Sequence, residues 1–588
     1  MSIKIGIRPI IDGRGKVRAT LEEKTLNMAL AAKQLIENNV FCLDGTNVEC
    51  VIGSTSISCR AEAAIVDDEL AKQGVVATLS VTPIFSYGTE TLDFNPHTVK
   101  AVWGFNGTER PGAVYLACAM AAYAEYGLPV FSIYGKNVQA MDDNSIPQDV
   151  ANKILAFARA ATAVGEMRGK SYLSIGGVSM GIAGSFLEPF MLADYFGMHA
   201  EWVDMSEVNR RIEKGIYDQE EYEIAQRWVK KYIKQGKEYY NDTETRHSDE
   251  QYKKDWEISL KMALIFKDLL HGNAKLVEKG FREESFGRNA IVGGFQGQRQ
   301  WTDYKPNADF AESILNSSFD WNGKRAPIPF ATENDTLNGL SMMLQTLLTN
   351  QASVFADVRT YWSPESVAEM DERLSGLAAN GFIHLNNSGS AALDGAGIMT
   401  EEGKPVMKQW WKVTDNEIVD TLSATEWPPA NLEYFRGGGF SSHYVTRAEM
   451  PATMIRLNRI KGTGFVLQIA EGYTVKLDES LVEKIEKRTD PAWPSTFFVP
   501  ILTGKGAFTS VYDVMAKWGA NHSCLTYGHI GADLITLASM LRIPVCMHNV
   551  DEAEIYRPAA WNAFGMDKEG QDYRACNAYG PMYRNIRK

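Results

Sequence analysis

Hydrophobic and polar residues follow two alternating patterns along the first third of the chain. Short apolar runs typical of buried strands occur at residues 3–7, 51–52, 75–81, 99–103 and 130–132. Segments with apolar residues on one helical face lie between these runs, at 61–73, at 113–126 and from Thr20 onward. Thr20 and Glu23 have capping-box spacing, which predicts that the first helix begins near Thr20. Strands that alternate with helices predict a parallel sheet with helices on both faces.

A second unit with the same alternation begins near residue 169. Its predicted elements are a strand at 172–175, a charged helical region at 206–280, a strand at 328–331 and a helix at 337–348. From about residue 350 the chain is richer in Gly, Ser, Thr and aromatic residues, and its β-like runs are short. This change in composition and in the length of the apolar runs predicts antiparallel strands or a small barrel.

The whole pattern predicts an α/β protein with two Rossmann-like domains, each built on a parallel sheet, and a mostly β C-terminal domain. We place these domains at residues 1–168, 169–350 and 351–588. Because no flexible linker separates them, we expect the domains to pack closely and to hold an active site between them.

Composition excludes several classes of function. The formal net charge of -13 and the absence of a long basic run disfavour a nucleic-acid partner, which is bound through clustered Lys and Arg. The longest apolar run, 113–124, is shorter than the roughly 20 residues that span a bilayer. The first residues lack the basic and apolar regions of a signal peptide. Seven dispersed cysteines without a Cys-x-x-Cys pair predict reduced thiols, so we expect a cytoplasmic protein.

The segment between the strand at 328–331 and the next helix carries the first candidate for chemistry. Asp335 lies where the helix needs an N-cap, and this role leaves Glu333 without a structural task. A carboxylate at the C-terminal end of a strand in an α/β domain points toward the crevice where ligands bind. Taken alone, the segment is more typical of a solvated loop, with Glu333 exposed to water.

Asp357 is the second candidate because it interrupts an apolar, strand-like run at 353–358. Asp is depleted in strands, and a buried carboxylate must be paired, protonated or bound to a metal. An ion pair with Arg359 or with another cation is the structural alternative to a role in chemistry.

Three of the nine histidines, His522, His529 and His548, fall close together near the C-terminus. The helix predicted at 511–518 stops at Gly519, and residues 520–522 are predicted to follow in an irregular segment. His522, with Asn521 beside it, is the best ligand candidate. His529 precedes another helix, whose positive N-terminus disfavours an imidazolium. Each histidine alone is more typical of a hydrogen-bonded structural residue than of a ligand.

A Glu, an Asp and a His together form a mixed oxygen and nitrogen donor set. Such a set suits Mn²⁺, Mg²⁺, Co²⁺ or Fe²⁺ with positions left open for a substrate. The chain has no P-loop and no G-x-G-x-x-G element, so nucleotide binding has little support. Aromatic residues beside polar ones, Tyr434 and Trp493, offer faces on which a sugar stacks.

Long colinear segments of the chain resemble the L-fucose isomerase family. They lie at 5–9, 103–115, 170–174, 176–184, 294–299, 331–335, 355–364, 434–439, 518–522 and 531–550. The resemblance covers essentially the whole chain and is more specific than any short motif.

The resemblance implies two α/β domains, a mostly β domain and a homo-oligomer, typically a hexamer. It implies a divalent cation, usually Mn²⁺, held by Glu333, Asp357 and His522, with Glu333 and Asp357 as the catalytic carboxylates. The implied reaction converts L-fucose to L-fuculose, and D-arabinose to D-ribulose, through a cis-enediol. Gln296, Tyr434, Trp493 and Asn521 are weaker candidates for contacts with the sugar.

Three alternatives remain open at this stage. A glycoside hydrolase also uses paired carboxylates but needs no metal. A non-catalytic sugar-binding protein binds fucose without producing a ketose. An isomerase of the same architecture that prefers L-arabinose is the nearest rival.

Overall fold

The computed structural model describes residues 2–565 and 567–584. Its first sheet consists of five parallel strands in the order β2-β1-β3-β4-β5. These strands are β1 Lys4–Pro9, β2 Glu49–Ile52, β3 Ala77–Thr82, β4 Val99–Gly104 and β5 Val130–Tyr134. Every residue of β3 and β4 is buried, as expected for a sheet covered on both faces.

Four helices cover this first sheet, namely α1 Gly15–Asn39, α2 Arg60–Gln73, α3 Gly112–Glu125 and α4 Gln148–Met167. Apolar residues of α1 and α4 share one buried cluster with the sheet, and those of α2 and α3 share another. The predicted start of α1 near Thr20 is wrong. The helix begins five residues earlier, and the Thr20 hydroxyl donates to the Val17 carbonyl oxygen within it. The first turn is polar, so apolar periodicity could not reveal it.

A second parallel sheet of four strands has the order β9-β8-β6-β7. Its strands are β6 Ser171–Ile175, β7 His199–Val203, β8 Ala290–Phe295 and β9 Phe330–Ala331. Seven helices accompany it, namely α5 Pro189–Phe196, α6 Met205–Lys214, α7 Gln219–Tyr232, α8 Asp249–His271, α9 Lys275–Glu278, α10 Asp309–Asn316 and α11 Thr336–Thr349.

The C-terminal region closes six antiparallel strands into a barrel. Its strands are β10 Val354–Trp362, β11 Phe382–Asn386, β12 Pro451–Ile460, β13 Gly464–Thr474, β14 Ser495–Pro500 and β15 His522–Tyr527. They pair in the order β12-β15-β10-β11-β14-β13, and β12 also pairs with β13, which completes the ring. A further strand, β16 Val545–Met547, runs parallel to β13.

Shorter elements complete the described chain. The remaining helices are α12 Pro364–Ala368, α13 Asp415–Ser423, α14 Glu479–Arg488, α15 Val511–Ala516, α16 Gly531–Leu541 and α17 Lys568–Tyr579. Three pairs of two-residue strands join neighbouring loops: Phe319–Asp320 with Gly323–Lys324, Thr400–Glu401 with Lys404–Pro405, and Lys234–Gln235 with Glu426–Trp427.

The predicted fold class is confirmed: two parallel α/β sheets precede a mostly β region. The three regions share one hydrophobic cluster, which joins Phe157 of α4, Leu340 of α11 and Leu537 of α16. The proposed domain ends at residues 1 and 588 lie outside the described residues. None of the seven cysteines, all in the described part of the chain, forms a disulfide. No described helix is long and apolar enough to span a bilayer.

Candidate active site

Glu333, Asp357 and His522 come together where the second sheet meets the barrel. Glu333 lies in the one-turn helix Thr332–Asn334 that directly follows β9. Asp357 and His522 are paired residues of the neighbouring strands β10 and β15, so their side chains share one face. The Nε2 atom of His522 lies 3.3 Å from Asp357 Oδ1 and 3.5 Å from Glu333 Oε2. The three ligand candidates are therefore neighbours.

The backbone at Glu333 adopts a left-handed conformation, with φ of 59° at Glu333 and 52° at Asn334. Such residues cost about 1–3 kcal/mol each and persist where surrounding contacts hold them. The Asn334 amide supplies these contacts, because its Nδ2 donates to Ser174 Oγ at 2.7 Å and to the Gly177 carbonyl oxygen at 2.8 Å. Its Oδ1 accepts from the Tyr172 hydroxyl at 3.1 Å. The second sheet thus fixes the direction of Glu333 toward the barrel.

Asp335 has a role beyond the predicted N-cap. Its Oδ1 accepts from the Asn338 backbone N–H at 3.1 Å, as a cap should. Its Oδ2 lies 2.6 Å from His522 Nδ1 and accepts from Arg456 Nη1 at 2.6 Å. Asp335, Arg456 and His522 are all buried. Sequence analysis missed this contact because the N-cap used only one carboxylate oxygen, and nothing in the sequence showed where the other points.

The contacts of His522 fix which of its ring nitrogens faces Glu333 and Asp357. Its Nδ1 is occupied by Asp335, and the Phe355 ring lies 4.8 Å from the imidazole centroid. Nε2 therefore faces both carboxylates. In metal-binding histidines, a carboxylate commonly accepts a hydrogen bond from one ring nitrogen and so orients the other nitrogen toward the metal.

The ionisation of this cluster is strongly shifted. Burial raises the pKa of Glu333 to about 7, against the lowering effect of His522. Burial alone would lower the pKa of His522, but the hydrogen bonds and charges of Asp335 and Asp357 raise it to about 10. Burial opposes ionisation of Asp335, yet the charge of Arg456 and the bond from His522 hold its pKa well below the ordinary value. Three carboxylates converge here, which makes the region attractive to a cation.

The side chains of this cluster are not arranged as a preformed metal site. Among the described residues, no group of three or more His, Cys, Asp or Glu side chains has a geometry that could hold a metal ion. Glu333, Asp357 and His522 instead contact one another directly, as an ion-paired cluster. Two carboxylates and an imidazole whose far nitrogen is held by a carboxylate suit Mn²⁺ and similar ions. The residues fit such an ion by their chemistry.

The four weaker candidates differ in how the structure places them. Asn521 adjoins the cluster, with its Nδ2 3.0 Å from His522 Nε2. Trp493 is half-buried, and the Arg359 guanidinium lies 5.3 Å from its ring centroid. Arg359 follows Asp357 by two residues in β10, so Trp493 borders the same strand. The predicted alternative of an Asp357–Arg359 ion pair is replaced by contacts of Asp357 with His522 and of Arg359 with Trp493.

Gln296 and Tyr434 make their described contacts elsewhere. Gln296 follows β8, where its Oε1 accepts from the Gly177 backbone N–H at 2.7 Å and its Nε2 donates to Gln300 Oε1 at 3.0 Å. Tyr434 is 66% exposed. Neither of these two contacts of Gln296 is with Glu333, Asp357 or His522.

The structure separates the other two histidines from His522. His529 and His548 line a different cavity of about 540 Å³, together with Glu471 and Asp551. His529 Nε2 lies 2.9 Å from the Gly472 carbonyl oxygen. The prediction that His522 lies in an irregular segment is wrong, because this residue begins strand β15.

Asn386 is a polar neighbour that sequence analysis did not identify. It pairs with Asp357 across β10 and β11, on the side opposite His522. Its Oδ1 is buried and lacks a hydrogen-bond partner within the described chain. Strand alternation could have placed it on this face only if the pairing of β10 with β11 had been known.

Comparison with known proteins identifies the family. Models of the first N-terminal, second N-terminal and C-terminal domains of L-fucose isomerase match residues 2–169, 170–350 and 385–548. The chain is 58% identical over 586 residues to an L-fucose isomerase of Bacteroides thetaiotaomicron, with 99% of each chain covered. It is 57% identical over 585 residues to one of Bacteroides fragilis and 56% identical over 585 residues to one of Vibrio vulnificus, again with 99% of each chain covered. The chain belongs to the L-fucose isomerase family.

Proposed function

We propose that this protein is an aldose–ketose isomerase that converts L-fucose to L-fuculose. The single observation that carries the proposal is the convergence of Glu333 and Asp357 on one buried imidazole, that of His522. Moving a carbonyl between C1 and C2 requires a proton to leave one carbon and to reach the other. Two carboxylates beside one cation-binding nitrogen suit this task.

The residues that would hold a divalent cation, Mn²⁺ in our proposal, are Glu333, Asp357 and His522. When bound, the cation supplies Lewis acidity toward the two neighbouring oxygens of an open-chain sugar. Asp335 keeps Nδ1 of His522 engaged and so leaves Nε2 for this role.

The chain's own carboxylates move the protons. One of Glu333 and Asp357 takes the proton from C2, and the other handles a proton on oxygen or at C1. Glu333 is 8% exposed and held by a strained turn, so its carboxylate faces the site in a fixed direction. General acid–base transfer of this kind contributes about 10²–10⁴-fold to the rate. In our proposal the reaction passes through a cis-enediol.

Sugar contacts are proposed for four side chains. Asn521, beside His522, is placed to bind a sugar hydroxyl. Trp493, beside Arg359, offers an aromatic surface for the ring or chain of the sugar. Gln296 and Tyr434 remain proposals from the family resemblance, since their described contacts lie elsewhere.

A turnover experiment tests the cation requirement. Protein treated with EDTA is expected to convert no L-fucose, and added Mn²⁺ is expected to restore formation of the ketose. Mn²⁺ should also raise the melting temperature of the treated protein, because a ligand that binds only the folded state stabilises it. Full activity in the presence of EDTA, with no bound metal by elemental analysis, would contradict this prediction.

An isotope experiment tests the proton-transfer route. If the C2 proton passes through a carboxylate, L-fuculose formed in D₂O is expected to carry solvent deuterium at C1. A direct shift of hydride from C2 to C1 would leave that position unlabelled, and this result would exclude the proposed role of the carboxylates. Turnover of D-arabinose and L-arabinose separates the two isomerases. An L-fucose isomerase is expected to convert D-arabinose as well, whereas the nearest rival prefers L-arabinose.

We infer that the protein acts as a homo-oligomer, with a hexamer expected from the family resemblance, and that it works in the cytoplasm. The domain divisions after residues 168 and 350 are part of the same proposal. Large exposed side chains such as Phe190, 81% exposed, and Tyr304, 84% exposed, suit surfaces that another subunit covers. Light scattering of the purified protein measures the assembly directly.

A further inference from the structure

Helix α10 is buried along its whole length although half of its eight residues are polar. The polar residues are Asp309, Glu312, Ser313 and Asn316, whose spacing of three or four residues places them on adjoining parts of one face. Buried polar side chains of this kind are stable only when they are hydrogen-bonded, so each must hold a neighbouring segment. The catalytic scheme above assigns none of them a role.

The two ends of this polar face bind the strand that leads to Glu333 and the loop that follows β11. The Asn316 amide makes two bonds with the Phe330 backbone, at 2.9 Å and 2.7 Å. At the other end, a Cβ added to Gly389 would lie 1.9 Å from Asp309 Oδ2, so the loop backbone presses closely on this carboxyl. Both segments border the active site, since Phe330 belongs to β9 and the loop continues from Asn386.

Glu312 lies between these contacts and joins the two segments directly. Its Oε2 accepts from Thr332 Oγ1 at 2.8 Å and from Ser390 Oγ at 2.7 Å. Thr332 is the residue before Glu333, and its Oγ1 also accepts from Asn387 Nδ2 at 3.2 Å. One buried carboxylate oxygen therefore ties the turn of Glu333 to the loop at 387–390.

We propose that Glu312 is a positioning residue for the isomerase reaction, which holds the strained turn of Glu333 against the 387–390 loop. This inference rests on the function proposed above. The turn at Glu333 has an unfavourable backbone conformation and needs contacts on both sides. Asn334 anchors it to the second sheet, and Glu312 anchors it through Thr332 on the other side.

The principal test is Glu312→Gln, which keeps the size of the side chain but replaces one carboxylate oxygen by an N–H donor. We expect kcat for L-fucose to fall about 10- to 100-fold and Mn²⁺ binding to the metal-free protein, measured by calorimetry, to weaken by a similar factor. The KM for L-fucose should change less than kcat, because Glu312 does not contact the sugar. Because Gln keeps one oxygen that can still accept from Thr332 and Ser390, the proposal is overturned by unchanged kcat and unchanged Mn²⁺ affinity in both folded Glu312→Gln and folded Thr332→Val.

Two substitutions of Thr332 keep the test informative if Glu312→Gln does not fold. Thr332→Val keeps the shape of the side chain but removes the hydroxyl that donates a hydrogen bond to Glu312, so kcat and Mn²⁺ affinity should fall. Thr332→Ser keeps the hydroxyl and should restore both. Equal values in the Val and Ser variants would show that the hydroxyl bond to Glu312 has no positioning role.

Asp394→Asn is the matched structural control. Asp394 is also a buried carboxylate, 2% exposed, that accepts from a serine, here the Ser318 backbone N–H at 3.0 Å and the Ser318 hydroxyl. This variant should lower the melting temperature with little change in kcat or Mn²⁺ affinity. If Asp394→Asn and Glu312→Gln lower kcat equally, Glu312 is only a structural residue.

The outcomes also separate this proposal from the proposed function. If the wild-type protein forms no ketose with Mn²⁺ present, the function fails before Glu312 is tested. If the wild type turns over and both Glu312→Gln and Thr332→Val match it, only the positioning role fails.

Discussion

Glu333→Gln is expected to retain the fold and lose nearly all conversion of L-fucose. Gln preserves the size of the side chain and cannot accept and release a proton. Loss of a general acid or base costs about 10²–10⁴-fold in rate. The substitution also removes the negative charge that Glu333 presents to the cation. The measurement is kcat for ketose formation at saturating Mn²⁺, with circular dichroism and a melting curve to show that the variant is folded.

Glu250→Gln is the control for this substitution, because the Glu250 side chain is 80% exposed on α8 and pairs with Lys254 along the same helix. It should leave kcat unchanged. Wild-type kcat in folded Glu333→Gln would remove Glu333 from the mechanism and leave Asp357 as the only carboxylate of the proposed pair.

Strong local periodicity made the fold predictable. Buried strands such as β3 and β4 are rich in apolar residues, although buried polar residues interrupt them, and the helices of the first unit have one apolar face. The ends of elements were harder to predict. The start of α1 was misplaced because the capping-box spacing of Thr20 and Glu23 falls inside the helix, and His522 was placed in an irregular segment although it begins β15.

The active site was predictable only in part, for a physical reason. Glu333 and Asp357 stood out because they lie where a strand ends or where an apolar run is interrupted, and His522 because it follows a helix stop. The family resemblance then joined them. The contact between Asp357 and His522 depends on the pairing of β10 with β15. The residues of each strand and its neighbours in sequence do not indicate which other strand it pairs with.

The residues that support the site were missed for the same reason. Asp335 and Arg456 are 121 positions apart in sequence, and Glu312 and Ser390 are 78 apart. Side chains that meet only through tertiary packing leave no local signal. Helix α10 did carry one hint, since four polar residues spaced three or four apart on one helix suggest bonds to other segments.

Asp335→Asn is the second substitution with a large expected effect. Asn caps a helix about as well as Asp, so the N-cap bond to Asn338 should survive. The negative charge between Arg456 and His522 is lost, and the guanidinium is left buried without its partner. Breaking a buried ion pair in this way costs about 3–5 kcal/mol of unfolding free energy, measured by denaturant titration of the metal-free protein.

The same substitution should weaken Mn²⁺ binding about 10- to 100-fold, because His522 loses the carboxylate that orients it. The dependence on pH follows from the pKa of Asp335, which lies below its ordinary value of 3.8 in the folded protein. A carboxyl whose pKa is lowered by folding stabilises the protein above its unfolded pKa and loses that effect as the pH falls. The stability difference between wild type and Asp335→Asn should therefore persist from pH 7 to about pH 5 and shrink at lower pH.

Asp218→Asn separates the charge effect from capping. Asp218 is likewise a buried N-cap, 4% exposed, which accepts from the Glu220 backbone N–H at 3.0 Å, but its ionic partner Lys275 is 55% exposed. Because an exposed partner is screened by water, this control should cost less than about 1 kcal/mol and leave Mn²⁺ affinity unchanged. If the two variants lose equal stability and neither changes Mn²⁺ affinity, Asp335 acts only as a helix cap. A much larger loss of stability at Asp335, together with weaker Mn²⁺ binding, would instead show that its charge both stabilises the buried cluster and holds His522 for the cation.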